Sequence, residues 1–202
     1  MKILLVGCGK MGGALLTQWM RAVKDEFTIV DPFLDHPIEG ARLFKTINAL
    51  GGEKFDLLIV AIKPQMVDEI LPEYKDALSE DGAIASIAAG CSVKRLQAAL
   101  PGYPIIRIMP NLPSAIGAGV AGLYASDDAT SHHKSAVETL MMAAGTAVWV
   151  ENEDQIDRVT AVAGSGPGYV FELARAYIEA AKALGFSDEQ ANDLVLGTLD
   201  GS

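Results

Sequence analysis

Short apolar runs alternate with longer amphipathic runs along the chain as far as residue 151. A short apolar run fits a strand covered on both faces, and the longer runs fit helices that pack against such a sheet. This alternation is typical of β-α-β units joined into a parallel sheet. The pattern predicts seven strands, at Lys2–Gly7, Phe27–Asp31, Asp56–Ile62, Ala83–Ala88, Ile105–Met109, Gly119–Ala125 and Thr146–Val150.

After Glu151 the strand patterns stop and the chain reads as helix. We predict helices at Asp154–Ala163, Gly168–Leu184 and Asp188–Leu199, the last opened by a capping box of Ser187 and Gln190. The middle helix is apolar on more than one face, so it needs cover from the sheet domain or from a second subunit. The predicted organisation is an α/β domain over residues 1–153 and an all-helical segment over residues 154–202.

Composition narrows the function classes. The net charge of −10 argues against a nucleic-acid partner, because such partners are held mainly by Lys and Arg. Cys8 and Cys91 stand apart from any metal-binding pattern, and His132 and His133 have no ligands at the right spacing, so we predict no metal and no disulfide. No run approaches the roughly 20 apolar residues of a membrane span. We therefore expect a soluble, cytoplasmic protein with no membrane partner.

A glycine-rich turn follows the first strand. It has the spacing G-x-G-x-x-G, with glycines at Gly7, Gly9 and Gly12, and an amphipathic helix begins directly after it. In this context Gly7 permits a tight turn, Gly9 lets backbone approach a pyrophosphate, and Gly12 lets helix and strand pack closely. We predict a Rossmann-type nicotinamide dinucleotide site in which Lys10 and Met11 complete the turn. The alternative is a glycine-rich turn without a ligand.

Asp31 ends the second strand, where the ribose of the adenosine half is expected. A carboxylate there accepts hydrogen bonds from the 2′- and 3′-hydroxyls and repels a 2′-phosphate, which favours NADH over NADPH. Because Pro32 follows, Asp31 could instead cap a turn.

Two further segments lie at the carboxyl ends of strands, at the same edge of the predicted sheet. Ala61 lies at the end of the third strand and Lys63 and Pro64 follow it, while Ala89 and Gly90 follow the fourth. We expect all five beside the cofactor, because ligands of open parallel sheets bind outside the carboxyl ends of the strands. Lys63 could instead be solvated.

Asn111 follows the fifth predicted strand in a segment rich in proline and glycine. We predict that its amide faces the nicotinamide or the substrate. The alternative is a turn residue.

Taken in order, these motifs resemble the pyrroline-5-carboxylate reductases, which reduce an imine to proline. The resemblance rests on the glycine turn and on four later blocks, Ile62–Gln65, Ser86–Gly90, Arg107–Asn111 and Thr160–Val170. The last block, Gly-Ser-Gly-Pro-x-Tyr opening a long helix, is the most specific. The resemblance implies catalytic roles for Lys63, Asn111 and Ser165, and a substrate pocket with its floor at Ser165, Gly166 and Pro167.

The residues after this block bear on the reaction type. Related enzymes that oxidise β-hydroxy acids carry a lysine base on the corresponding helix, whereas the turn here reads Val170-Phe171-Glu172-Leu173-Ala174. A protonated imine is already electrophilic and needs no such base, so the turn favours imine reduction.

The family also has features that this chain lacks or varies. Leu112 and Gly168 stand where the family has Thr and Ala. Members continue beyond this end through helices that interlock two subunits and a Ser-Pro-Gly-Gly-Thr-Thr loop that holds the substrate carboxylate. We expect a truncated chain and a homodimer or dimer-based oligomer. The alternatives are a related NAD(P)-dependent oxidoreductase, of the prephenate or deazaflavin type, and a cofactor-binding fragment without turnover.

Overall fold

A computed structural model describes residues 1–201 and contains one eight-stranded sheet. The strand order is β3-β2-β1-β4-β5-β6-β7-β8. The strands are β1 (Lys2–Val6), β2 (Glu26–Val30), β3 (Arg42–Phe44), β4 (Phe55–Val60), β5 (Leu78–Ser86), β6 (Ile105–Met109), β7 (Gly119–Ala125) and β8 (Gly145–Trp149). The chain starts in the middle of the sheet, builds outward to β3 and then crosses back to β4 beside β1. The carboxyl ends of β1 and β4 therefore flank the point where the strand order reverses, at which open α/β sheets bind ligands.

The seven predicted strands are all present, and the mostly parallel fold is confirmed, with three differences. The edge strand β3 was not among the predicted strands, because its three residues are too few to show a periodicity. The strand β5 starts at Leu78 rather than Ala83, ahead of a polar stretch that hides it. Only the β6–β7 pair is antiparallel, and no hydrophobic pattern reports strand direction.

Seven α-helices connect or follow the strands within the described residues: α1 (Lys10–Ala22), α2 (Val67–Ile70), α3 (Val93–Ala99), α4 (Ser131–Ala143), α5 (Asp154–Val159), α6 (Gly166–Ala183) and α7 (Asp188–Asp200). Four 3₁₀ segments lie at Ile47–Leu50, Pro64–Met66, Leu71–Tyr74 and Leu112–Ile116. The predicted N-cap at Ser187 is confirmed by a hydrogen bond from a backbone N–H group to its side chain, and Ser92 and Thr130 cap α3 and α4 in the same way.

Both faces of the sheet are covered. One face packs on α1 and α4 through a core that includes Leu16, Trp19 and Leu140. The other packs on α3 and the 3₁₀ segment at Leu71–Tyr74 through a core that includes Leu96 and Tyr74. Strands buried on both faces explain why β1 and β4 read as continuous apolar runs in the sequence.

The predicted helix at Asp154–Ala163 is divided. Its first part is α5, and the chain then forms a π-helical turn at Thr160–Gly164. Ile156 of α5 is buried. Val159 packs closely on Gly122 of β7, where an added Cβ on the glycine would lie 2.8 Å from the Cγ2 of Val159. This packing makes α5 part of the sheet-containing unit.

The chain forms two compact units, Met1–Gly164 and Ser165–Ser202. The division falls later than the predicted boundary after residue 153, because α5 packs on the sheet. Within the second unit, α6 and α7 share a small core of Ala181, Ala191 and Val195. No helix of residues 1–201 combines the length and apolar character that a membrane crossing requires.

Candidate active site

The glycine turn between β1 and α1 has the tight geometry that its spacing predicts. Gly7 has a φ of +84°, and a Cβ there would lie 2.8 Å from Ile62 Cγ2 and 3.0 Å from the Ala61 carbonyl oxygen. A Cβ at Gly12 would lie 3.0 Å from the Cβ of Ala61. Both glycines therefore let the start of α1 pack against the segment that follows β4.

Gly9 differs from its neighbours because a Cβ there would meet no atom within 4 Å. It is the N-cap of α1, a helix of 13 residues with no acidic residue in its first turn. Backbone N–H groups and the positive end of the helix dipole at such a terminus favour an anionic group. The turn is thus an open cradle that fits a pyrophosphate, and its shape does not require glycine at this position for internal packing.

Asp31 follows β2 directly and is tied to the glycine turn. Its Oδ2 accepts a hydrogen bond of 2.7 Å from the backbone N–H of Cys8, and its Oδ1 accepts one of 2.8 Å from the N–H of Phe33. The carboxylate therefore caps the turn before Phe33, which is the alternative that the sequence left open, and it also holds the glycine turn against β2. A carboxylate has about four lone-pair sites, so these bonds leave it able to accept ribose hydroxyls.

A cleft of about 270 Å³ opens at the carboxyl ends of β1, β2 and β4. Five residues of the predicted cofactor site line it, namely Gly7, Gly9, Asp31, Ala61 and Lys63. The structure thus brings together residues from three separate segments at the topological switch point.

The other residues that line this cleft were not predicted as site residues, and they include Phe33, Met66, Ile70 and Tyr74. The last three recur every four residues, so an apolar stripe on one helical face was the available signal. Tyr74 is almost fully buried, and burial raises the pKa of its hydroxyl, so it stays neutral. Phe33 is 83% exposed at the cleft edge. These side chains give the cleft an apolar wall on which a flat ring could pack.

The other predicted cofactor residues are not among those that line the cleft. Lys10, Met11 and Gly12 form the first turn of α1. Pro64 starts a 3₁₀ segment, and its carbonyl accepts a hydrogen bond from Arg95. Ala89 and Gly90 are exposed after β5.

Asn111 is buried, and its side chain bonds to backbone on two sides. Its Oδ1 accepts a hydrogen bond of 2.8 Å from the N–H of Val120, and its Nδ2 donates one of 3.1 Å to the carbonyl oxygen of Ala163. The amide does not cap the 3₁₀ segment that follows it. One N–H of the amide is not used by these two bonds.

Ser165, Gly166 and Pro167 belong to the second unit, at the start of α6. Ser165 is the N-cap, and its carbonyl accepts hydrogen bonds from the N–H groups of Gly168 and Tyr169. Their predicted place in the substrate pocket remains a prediction.

Cys8 lies inside the glycine turn. Burial, together with the charge of Asp31, raises the pKa of the Cys8 thiol to about 11. The thiol is therefore neutral near pH 7 and acts as a small apolar side chain.

A larger cavity, of about 520 Å³, lies at the amino ends of the strands. Asp56, Asp81, His132 and His133 are among its lining residues, and the backbone carbonyl of Asp81 lies 3.0 Å from Nε2 of His133. Within residues 1–201, no group of three or more His, Cys, Asp or Glu side chains is arranged to hold a metal ion.

Comparisons with known proteins bear on both units. A family model described as pyrroline-5-carboxylate reductase dimerisation matches residues 153–202, and one described as NADP oxidoreductase, coenzyme F420-dependent, matches residues 2–90. The pyrroline-5-carboxylate reductase of Haemophilus influenzae is 31% identical over 99% of this chain and 76% of its own length. That of Mycobacterium tuberculosis is 32% identical over all of this chain and 72% of its own length. The chain thus spans about three quarters of these relatives.

Solved structures agree. A pyrroline-5-carboxylate reductase from Coxiella burnetii superposes with a TM-score of 0.90 at 30% identity, covering 98% of this chain and 77% of its own. A Plasmodium falciparum pyrroline carboxylate reductase with NADP bound gives 0.85 at 25% identity, covering 99% and 76%. Prephenate dehydrogenase from A. aeolicus gives 0.65 at 17% identity, covering 88% of this chain and 69% of its own, which shows only a shared fold. These relatives match nearly the whole of this chain, and the chain belongs to the pyrroline-5-carboxylate reductase family.

Proposed function

We propose that this chain reduces the C=N bond of 1-pyrroline-5-carboxylate to L-proline with NADH or NADPH. The observation that carries the proposal is the cleft at the switch point, where the glycine turn, Asp31 and Lys63 converge in a chain of this family. Bound NAD(P)H supplies the hydride. The chain's own residues bind and orient the reactants, and the substrate nitrogen carries a proton, so the reaction needs no lysine base on α6.

Within this proposal, the residues have separate tasks. The turn from Gly7 to Gly12 holds the pyrophosphate through its backbone N–H groups. Lys63 lies on the nicotinamide side, and Ser165 to Pro167 form the floor of the substrate pocket. The functional division stays near residue 153, where the matching dimerisation model begins, although α5 packs with the sheet: residues 1–153 carry the cofactor half, and residues 154–202 carry the substrate and dimer half.

The proposal is tested with a panel of substrates followed by NADH absorbance. Consumption with 1-pyrroline-5-carboxylate, but not with prephenate-type or deazaflavin substrates, supports it. NADH binding without consumption of any substrate would select a cofactor-binding fragment, and absence of NADH binding would refute the proposal.

We further propose that Asp31 makes NADH the preferred cofactor. Its carboxylate lines the cleft, and a 2′-phosphate placed beside it would meet like charge. Asp31→Ser should lower the ratio of NADPH to NADH dissociation constants by about tenfold or more, because repulsion is removed. Asp35→Ser, an exposed acid nearby, is the matched control and should leave the ratio unchanged. An unchanged ratio for Asp31→Ser would refute this role.

The second unit is the proposed dimer interface. Its core is small, whereas Val170, Phe171 and Leu173 of α6 and Leu194 and Leu196 of α7 are each more than half exposed. Apolar side chains in this number need cover, and the matching dimerisation model spans the same residues. A second copy of this chain would supply it.

Sedimentation tests the interface. Phe171→Glu should shift the protein from dimer to monomer, whereas Asn48→Asp, a charge added at an exposed site of the first unit, should leave it dimeric. A dimeric Phe171→Glu variant would count against α6 as the interface.

A cytoplasmic location is a further part of the proposal, and the free thiols of Cys8 and Cys91 are in keeping with it.

A further inference from the structure

The Ala163 carbonyl oxygen lies at a point where the helical backbone cannot supply its usual donor. In an α-helix this oxygen would accept from the N–H four residues later, but that residue is Pro167, which has none. The N–H five residues later, on Gly168, donates to Ser165 instead. Ala163 is half-buried, and a carbonyl that is partly shielded from water is stabilised when a protein group donates to it.

Asn111 supplies that donor. Its Nδ2 lies 3.1 Å from the Ala163 oxygen, while its Oδ1 is anchored on Val120 of β7 at 2.8 Å. The side chain thus bridges the sheet and the π-helical turn with opposite ends of one rigid amide. The amide offers an acceptor at its oxygen and a donor at its nitrogen, which matches the N–H of Val120 and the carbonyl of Ala163.

A second residue of the same segment contacts the same turn. Met109, at the end of β6, reaches Gly164, where a Cβ would lie 3.4 Å from the methionine Cε. The segment from Met109 to Asn111 therefore holds both Ala163 and Gly164. π-Helical turns are rare and often lie at functional sites, where a local change of helical register re-aims the chain.

We propose that Asn111 is a positioning residue whose amide replaces the hydrogen bond that Pro167 cannot donate to Ala163, and so fixes the π-helical turn that leads into Ser165. This inference rests on the proposed function, because Ser165 to Pro167 are there the floor of the substrate pocket. It differs from the role predicted from the sequence, in which the same amide contacts the nicotinamide. The two roles predict losses in different measurements.

The test variant is Asn111→Asp. It retains an acceptor for the Val120 N–H but has no donor for Ala163. We expect the KM for 1-pyrroline-5-carboxylate to rise about tenfold or more, since the half-buried Ala163 carbonyl loses its donor and the turn before Ser165 loosens, while the dissociation constant for NADH stays within about twofold. Asn48→Asp, the same substitution at an exposed site, should change neither. A weaker affinity for NADH with an unchanged KM for the imine would overturn the inference in favour of a nicotinamide contact.

A second substitution tests the link to Pro167. Pro167→Ala restores an N–H four residues after Ala163. In that background, the rise in KM caused by Asn111→Asp should be at least about threefold smaller. Equal costs in both backgrounds would overturn the inference. If Asn111→Asp alone fails to fold, the protein that carries both Asn111→Asp and Pro167→Ala should fold. Failure of that protein to fold would also overturn the inference.

Hydrogen exchange gives a readout that does not depend on turnover. Peptides that span residues 156–170 should exchange faster in Asn111→Asp than in wild type, and the Pro167→Ala background should reduce this difference. An unchanged exchange rate would refute the inference. Failure of the wild type to reduce the imine would refute the proposed function and leave this result standing on its own.

Discussion

Gly7 and Gly9 are two residues apart in the same turn, and the structure predicts opposite consequences for replacing them with alanine. At Gly7 the φ of +84° costs an L-residue about 1–2 kcal/mol, and a Cβ only 2.8 Å from Ile62 Cγ2 adds about 1–3 kcal/mol of overpacking. The sum, about 2–5 kcal/mol, is a large part of a typical stability of about 5–15 kcal/mol. At Gly9 the backbone is extended and no atom lies within 4 Å, so the fold should lose less than about 1 kcal/mol.

Urea unfolding and NADH titration separate the two effects. Gly7→Ala should lower the free energy of unfolding, whereas Gly9→Ala should keep it and weaken NADH binding about tenfold or more, because its methyl group occupies the approach to the cradle. Gly51→Ala is the control for Gly7→Ala, because Gly51 also has a positive φ but a Cβ there would meet no atom within 4 Å, so this variant reports backbone strain alone. Wild-type NADH affinity in Gly9→Ala would refute the assignment of the turn as the pyrophosphate site.

Two further predictions concern stability. Glu153 pairs with the buried Arg107 at 2.8 Å and accepts a hydrogen bond of 2.6 Å from the N–H of Val93. Glu153→Ala should therefore lower the free energy of unfolding by about 2–3 kcal/mol in urea titrations. A loss below about 0.5 kcal/mol would contradict this. Burial raises the pKa of Cys8 from 9.0 to about 11, so the thiol of the unfolded chain loses its proton at a lower pH than the thiol of the folded protein. The contribution of the protonated thiol to the free energy of unfolding is therefore complete below pH 9 and is lost as the pH rises to about 11. Cys8→Ala should therefore lose less stability than wild type between about pH 8 and about pH 10.5, and parallel losses would show that this thiol does not control the alkaline limb.

Much of the fold was predictable because its strands are buried on both faces. The apolar runs of β1 and β4 cannot be solvent-facing segments, and the glycine turn between β1 and α1 marks the start of the sheet. The edge strand β3 and the polar start of β5 carry no such signal. The antiparallel direction of β7 depends on chain connectivity, which a hydrophobic pattern does not report.

The candidate site was predictable where local rules apply. Gly7, Gly9 and Asp31 follow from the geometry of one β-α-β unit, and they line one cleft. The role of Asn111 depends on Val120 and Ala163, nine and fifty-two residues away along the chain. A sequence pattern identifies such an amide as notable, but only tertiary structure shows which backbone groups it satisfies.

The most direct test of the proposed reaction follows the transferred hydride. Wild-type protein is incubated with 1-pyrroline-5-carboxylate and NADH carrying deuterium at C4 of the nicotinamide on the transferred face, and the product is analysed by mass spectrometry and NMR. Transfer to the C=N carbon predicts L-proline with one deuterium at C5, the ring carbon next to nitrogen that does not carry the carboxylate. Gly9→Ala should form this product far more slowly. NADH that binds while no deuterated proline forms would contradict the proposed reaction.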